Sequence, residues 1–402
     1  MARQTGTGEL VRVGIVGSGF AARFHLEGYR RVYRVPVDVV GVTSRNRERR
    51  RAFGKRYGIQ AFDTAEELID AVDAVSICTP PGSHVPIAEA ALRQGRHAVV
   101  EKPFSGYFGT GKPSFRGNRF PKQTMLREAL ATCDRVIAVA RRSGARICYA
   151  ENWVYAPAIQ KEREIIRKSG AQILWMIGEE SHSGSHSPSY GVWAEGGGGS
   201  LVGKGCHPLT AALYLKQEEG RASSGKPIRP AAVSARTHEI TRRPGYRDQG
   251  FLRTDYLDVE DYAQLHVRFD DGTVADVFSA EVVLGGISSW LDVRANNHRT
   301  RCSLNPIDAL TTYNPHEKGL RDVYVAEKIG TKQGWSHPAP DEDWMNGYPQ
   351  QFQDFVEAVR DDREPLCGAL LARDTVAVMY SGYLSAERMG VEVRVPRRAA
   401  HG

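Results

Sequence analysis

Val11-Arg12-Val13-Gly14-Ile15-Val16-Gly17-Ser18-Gly19-Phe20-Ala21-Ala22 is the stretch that decides the fold of this chain. A short β-branched run ends in two glycines one residue apart, and an alanine follows three positions after the second. Arg23 to Tyr29 then reads as the opening of a helix. A strand that runs into a helix through such a turn is the setting in which a dinucleotide fingerprint has meaning. Gly17 permits the tight turn, and Gly19 has no Cβ to hold the backbone off a pyrophosphate. Ala22 lets helix and strand approach, so the helix N-terminus faces the phosphates. Gly17, Gly19, Phe20 and Ala22 are therefore the first candidate cofactor contacts, although a glycine-rich turn in another α/β protein shares the pattern.

The rhythm continues downstream. Val37 to Thr43, Ile59 to Phe62, Asp73 to Cys78 and His97 to Val100 read as strands, separated by helices over Arg47 to Tyr57, Thr64 onward, and Val85 to Gly95. Strand–helix units at such short spacing predict a doubly wound parallel sheet. Gly106 to Pro121, with four glycines and two prolines, interrupts it as an inserted loop. Lys122 to Ser143 is then helix, Arg146 to Ala150 strand and Ala156 to Lys168 helix. From Gln172 the texture changes to strands at Ile173, Ala231, Ala263, Val274, Trp290 and Thr300. Asp270-Asp271-Gly272-Thr273 reads as a hairpin turn between two of them. Phe352 to Val359 and Ala369 to Met389 are helical, ahead of a closing strand at Val391 to Val395. The expected architecture is α/β: a Rossmann domain over residues 1–150, then an α/β domain over 151–402 with a large, mostly antiparallel open sheet. The C-terminal helices are placed to pack back on the first domain.

Composition narrows the class. The 402 residues are 41% hydrophobic and 25% charged, as in an ordinary globular protein of two domains. The six cysteines form no CxxC pair and read as reduced thiols of a cytoplasmic protein. Met1 to Gly8 lacks the apolar core of a signal peptide, and no stretch approaches about 20 apolar residues. The net charge of +7 is dispersed, without a basic helix or aromatic interleaving, so neither nucleic acid nor membrane is expected as a partner.

Several strand exits carry chemistry. Cys78-Thr79-Pro80-Pro81-Gly82-Ser83-His84 lies where an open sheet puts its ligand crevice, and Thr79 and Pro80 are suited to a nicotinamide ribose. The next strand ends in Glu101-Lys102-Pro103, and an ammonium there can donate to a substrate oxygen during hydride transfer. One surface lysine among many is the plainer interpretation. After the second strand come Ser44, Arg45 and Asn46, with Arg49 a turn later. No carboxylate is offered to a ribose, which leans the choice between NAD and NADP towards NADP. Gly196 to His207 is a second glycine-rich signal, bringing His207 onto the first turns of a helix. A neutral imidazole there can take an alcohol proton, or simply pack. Glu180, His182 and His186 form a polar cluster; Gly184 and Pro188 argue for a loop, and no metal is expected. Asn152, Trp153 and Tyr155 follow a strand end and offer a polar contact and a stacking surface.

In Gly17 to Ala22, Thr79-Pro80-Pro81 with His84, Glu101-Lys102-Pro103 and Gly205-Cys206-His207, the chain resembles the glucose-fructose oxidoreductase, inositol dehydrogenase and rhizopine catabolism (Gfo/Idh/MocA) family. The resemblance covers nearly all of it. It implies hydride transfer between NAD or NADP and a secondary alcohol or ketone of a sugar or cyclitol, and a homodimer or homotetramer through the C-terminal sheet. It also implies that Lys102 and His207 are catalytic, that His84 and Glu101 lie at the cofactor, and that Lys204 lies beside the substrate. The family's usual aspartate four residues before the histidine is Gly203 here. Either another acid such as Glu180 or Asp258 then substitutes, or the chemistry is not a standard alcohol oxidation. Two other functions fit the same fold: a glycosidase or lyase that retains NAD and oxidises transiently, and a non-catalytic dinucleotide-binding regulator.

Overall fold

The computed structural model describes residues 10–304 and 309–398. The N-terminal octapeptide read for a leader lies outside them. The first half is built from β1 (Val11–Val16), α1 (Phe20–Arg30), β2 (Val37–Thr43), α2 (Arg47–Tyr57), β3 (Gln60–Ala61), α3 (Ala65–Ala71), β4 (Ala74–Ile77), α4 (His84–Arg93), β5 (His97–Glu101), α5 (Lys122–Ser143) and β6 (Ile147–Ala150). The six strands pair in the order β3-β2-β1-β4-β5-β6, every pair parallel. β1 and β4 sit centrally and are nearly all buried, which is why they are apolar without alternation. Gly106 to Pro121 forms an irregular loop with one short turn, Gly117–Arg119.

Local chemistry sets several boundaries. Asn46 caps α2 by accepting from the Arg49 amide at 2.9 Å, and Thr64 caps α3 by accepting from the Glu67 amide at 3.1 Å. α5 ends at Gly144 in the left-handed conformation (φ 74°).

α6 (Pro157–Ser169) leads to the second sheet, made by β7 (Ile173–Ser181), β8 (Pro230–His238), β9 (Tyr262–Phe269), β10 (Val274–Ala280), β11 (Ser288–Ala295) and β12 (Arg299–Ser303). Between β7 and β8 lie the short α7 (Trp193–Gly196) and the long α8 (Cys206–Ser224). A two-stranded ribbon of β13 (Thr312–Asn314) and β14 (Gly334–Ser336) follows, then α9 (Glu342–Met345), α10 (Tyr348–Arg360), α11 (Ala369–Glu387) and β15 (Val393–Arg394). The sheet order is β12-β11-β7-β10-β9-β8-β15. All its neighbours are antiparallel except β7 and β10, which run parallel in the middle. Half-buried alternation marks a sheet but not the direction of its neighbours, so only the hairpin at Asp270 to Thr273 had a local sequence signal; Gly272 takes φ 84° there.

α8 and α11 pack together over one face of this sheet, and α11 also packs on α5. α10 packs on α1 through a contact that requires glycine: a Cβ on Gly28 would lie 2.1 Å from the Phe352 ring. Phe352 is fully buried and also meets His25 and Tyr29. Among the described residues all six cysteines are free and buried, and no helix is long and apolar enough to cross a membrane.

Phe352→Ala should therefore destabilise the protein by about 3–5 kcal/mol, because the cavity opens where α1 and α10 meet. Urea denaturation followed by circular dichroism measures this, and a loss below about 1 kcal/mol would show that the contact does not hold the two helices together.

Candidate active site

The site lies along the carboxyl edge of the first sheet, in a cavity of about 1100 Å³ that runs from the β1 turn to α8. At one end the turn after β1 holds Gly17 at φ 125°, where a Cβ would lie 2.3 Å from the Cys78 carbonyl oxygen. A Cβ on Gly19 would meet nothing within 4 Å, so the cavity reaches the backbone itself. No side chain caps the N-terminus of α1, and its first amides are free to meet an anion. These features fit the pyrophosphate of a dinucleotide. Phe20 projects beside the turn and is 57% exposed. Ala22 does not line the cavity; it is fully buried in the core between α1 and β1, where it allows their approach.

Ser44, Arg45 and Arg49 line the same end. Ser44 Oγ lies 2.9 Å from Ser18 Oγ, tying the exits of β1 and β2 together, while both arginines are exposed. Thr79 and Pro80 line the middle of the cavity. His84 does not. Its ring is buried between the carbonyl oxygens of Thr79 (2.8 Å) and Pro103 (2.9 Å), so it staples the loops after β4 and β5 from below. Burial lowers its basicity.

Beyond Pro80 lies Glu101. One carboxylate oxygen sits 2.9 Å from His25 Nε2 and the other accepts from the Lys102 amide at 3.0 Å. Burial alone would raise this carboxyl, but the His25 hydrogen bond and nearby positive charge outweigh it and hold it below its ordinary range. Lys102 Nζ donates to the Gly203 carbonyl at 2.9 Å and lies 5.2 Å from the centre of the Tyr190 ring. Burial works against its charge, yet surrounding Tyr190, Cys206, Glu101 and Glu151 more than offset this, and the ammonium is held above its ordinary range.

His207 is the second residue of α8. It follows a wide π-turn over Leu201–Gly205, which begins where Gly199 rests on Glu260; a Cβ there would lie 2.0 Å from the Glu260 carbonyl oxygen. His207 Nδ1 is 2.5 Å from Glu151 Oε1, and its ring stacks on Trp153 at 6.0 Å. Glu151 was passed over in the sequence, although it stands at a strand exit immediately before Asn152 and Trp153. Of the two acids expected to replace an aspartate at 203, Asp258 is engaged elsewhere, accepting the amides of Gly117 (2.6 Å) and Trp193 (2.8 Å). Glu180 lines the cavity together with His207 and accepts from Ser289 Oγ.

The polar loop after β7 closes the cavity. His182 Nδ1 accepts from the Gly184 amide at 3.1 Å, so the proton of the neutral ring sits on Nε2. Burial, assisted by Lys204, keeps that ring neutral. Lys204 is buried in an ion pair with Glu281 and donates to Ser185 Oγ at 3.0 Å. His186 is exposed, with Nε2 2.8 Å from Glu327, and packs near Phe20. Asn152 borders a second, adjoining cavity, its amide donating to the Asn346 carbonyl at 2.8 Å. Tyr155 borders neither: its hydroxyl donates to Asp354 at 2.8 Å inside the core. It is a packing residue, placed inward by the short turn Asn152–Tyr155.

Glu151, Cys206 and His207 bring potential metal ligands within 4.8 Å of one another. The 2.5 Å Glu151–His207 contact is a hydrogen bond, however, and is shorter than the roughly 3.3 Å between two ligands of one tetrahedral zinc. Burial also pushes the Cys206 thiol well up, against the thiolate a metal would need.

Two profiles of one family match: its NAD-binding Rossmann fold over residues 11–110 and its C-terminal alpha/beta domain over residues 180–393. This chain belongs to the Gfo/Idh/MocA oxidoreductase family. Its relatives include the UDP-N-acetylglucosamine 3-dehydrogenase of Acidithiobacillus ferrooxidans, 36% identical over 95 residues, or 24% of this chain and 29% of that one. The D-glucoside 3-dehydrogenase of Escherichia coli is 26% identical over 216 residues, 52% of this chain and 55% of the relative. Both alignments thus span less than two thirds of the relative's length. Among solved structures, GenD2 from gentamicin A biosynthesis, in complex with NAD, aligns over 99% of both chains with a TM-score of 0.76 and 23% identity, a likeness of fold.

One acid of the site has a measurable signature. Burial pushes the Glu180 carboxyl up to about 7 from an ordinary 4.5. The folded protein therefore keeps this proton longer than the unfolded chain, and stability falls as pH rises from about 4.5 to about 7. Glu180→Gln removes that loss. The variant should gain about 3 kcal/mol relative to the parent across this interval, with no further gain above it. Urea denaturation on both sides of the interval reads the effect, and a difference independent of pH would contradict it.

Proposed function

We propose that this protein is a nicotinamide-dependent dehydrogenase or reductase acting on a secondary alcohol or ketone of a sugar, sugar derivative or cyclitol. One observation carries the reading. Lys102 from the first sheet and His207 from α8 reach one cavity whose far end is the glycine turn at Gly17 to Phe20. An ammonium, an imidazole and a dinucleotide cradle in one cavity suit hydride transfer at an alcohol carbon.

The nicotinamide supplies the hydride acceptor, or the donor in reverse. Gly17, Gly19 and the open end of α1 take the pyrophosphate, while Thr79 and Pro80 border the nicotinamide half. Lys102 donates a hydrogen bond to the oxygen on the reacting carbon and stabilises the negative charge that builds there. His207, with Nδ1 turned to Glu151, presents Nε2 to take the hydroxyl proton in oxidation and return it in reduction. Glu180 and the Nε2–H of His182 offer an acceptor and a donor to neighbouring hydroxyls. Asn152, His186 and Lys204 border the space around them. An assembly of two or four copies through the open face of the second sheet belongs to the same reading, with half-buried Trp175, Phe278 and Trp290 supplying apolar surface.

The test is absorbance of the reduced nicotinamide against a panel of sugars, sugar derivatives and cyclitols with both NAD and NADP. Turnover with at least one pair is expected. No absorbance change with any pair would overturn the reading, and a tightly retained cofactor without net reduction would favour a lyase. Lys102→Ala and His207→Ala should each lower kcat by roughly 10²-fold or more while leaving dinucleotide affinity within a few-fold. Either variant turning over near the parent rate removes its residue from the catalytic set.

The adenosine end leans to NADP, because β2 is followed by Ser44 and two exposed arginines rather than a carboxylate. Arg45→Ala should weaken NADP by roughly tenfold or more and NAD by much less, as measured by calorimetric titration. Equal losses would refute a phosphate contact.

A further inference from the structure

We propose that Glu151 is the positioning residue of His207: it holds the proton on Nδ1 and aims the basic Nε2 into the cavity. This rests on the reading of His207 as the proton-transfer group.

Geometry comes first. Glu151 leaves β6 fully buried, and Oε1 meets His207 Nδ1 at 2.5 Å. A carboxylate only accepts at such a contact, so Nδ1 donates and Nε2 keeps its lone pair. Stacking on Trp153 limits rotation of the ring about that bond. With 8% of its surface exposed, His207 reaches the cavity by one edge only.

Glu151 is poorly explained as a structural residue. Its only ion-pair partner among the described residues is His207; Oε1 also accepts a long 3.5 Å contact from the Trp153 amide at the head of the Asn152–Tyr155 turn, and Oε2 is buried without a hydrogen-bond partner. Burying a carboxylate on such terms is costly; Glu162, paired through one oxygen with His298, shares them but lines neither cavity, whereas Asp261 and Glu281 are well supplied. Asp261 takes the amides of Ile240 and Thr241 and the Thr241 hydroxyl; Glu281 takes Lys204, Ser185 and Tyr256. An under-supplied carboxylate behind an imidazole at a cavity wall is the arrangement in which an acid steadies the imidazolium formed when Nε2 receives a proton. No carboxylate can reach the ring from residue 203, which is glycine and whose carbonyl is taken by Lys102.

The experiment uses the full-length protein with ¹⁵N-labelled histidine, the His207 signals being assigned by their loss in His207→Gln. In the parent, His207 should show the Nδ1–H tautomer. Glu151→Asp should retain it, and Glu151→Gln should lose it or mix it. With a substrate in hand, Glu151→Gln should also cut kcat by roughly 10²-fold, leave KM and dinucleotide affinity within about threefold, and regain much of the rate in Glu151→Asp. An Nε2–H tautomer in the parent overturns the proposal, as does Glu151→Gln turning over near the parent rate. The tautomer is read without any substrate, so an absence of sugar turnover would count against the function and not against this assignment.

Discussion

Six parallel strands leave all their carboxyl ends on one edge, and the site is a consequence of that direction. β1 delivers Gly17 there, β2 Ser44, β4 Thr79, β5 Lys102 and β6 Glu151. No long loop has to be folded back to assemble them, because a shared register along the sheet already aligns them. The second sheet contributes from the opposite wall. β7 ends in Glu180 and Ser181, and the π-turn ahead of α8 brings up Lys204 and His207. The cavity is therefore bounded by rigid elements from both halves, held together where α10 meets α1 and α11 meets α5. The proposed hydride transfer would need that rigidity, since a displacement of an ångström is costly in rate.

Charge in this cavity is managed by giving each buried group a different supply of partners. Lys204 is neutralised by Glu281 and does not stand free in the cavity. Lys102 has carbonyl and aromatic neighbours, but no carboxylate within ion-pair distance among the described residues, so its charge is not neutralised by an ion pair. Glu180, with a serine as hydrogen-bond donor, is pushed up by burial. Glu101 is instead held down by His25 and sits under the loop that carries Lys102. Carboxylates of one type are thus set to different proton affinities by their surroundings alone.

The parallel sheet and its first turn were legible in the sequence because each depends on local chemistry: apolar strands at short spacing and glycines at Gly17 and Gly19. The placement of Lys102 and His207 at one cavity was legible for the same reason, one standing at a strand exit and the other behind a glycine run. What the sequence hid depends on contacts across long separations. Glu151 lies 56 positions from His207, and nothing near it marks the pairing. His84 and Tyr155 stand in the right segments but point inward, one to two backbone carbonyls and the other to Asp354. Asp258 was plausible only by charge; its amide partners lie in the loop after β5 and at the start of α7. The parallel β7–β10 pair was likewise invisible, since strand alternation carries no direction.

Gly203 gains a physical meaning from this arrangement. A Cβ there would stand 3.3 Å from the Tyr190 ring, tighter than most such contacts, so the ring occupies the ground that a side chain at 203 would need. Tyr190 in turn lies over Lys102, whose ammonium takes the Gly203 carbonyl. A carboxylate at 203 would have to share that space with the Tyr190 ring beside the buried ammonium. Glu151, just past the end of β6, stands instead against Nδ1 of the imidazole. The imidazole thus has a carboxylate partner while the Lys102 ammonium has none in ion-pair contact among the described residues, and the two groups are set at the exits of different strands.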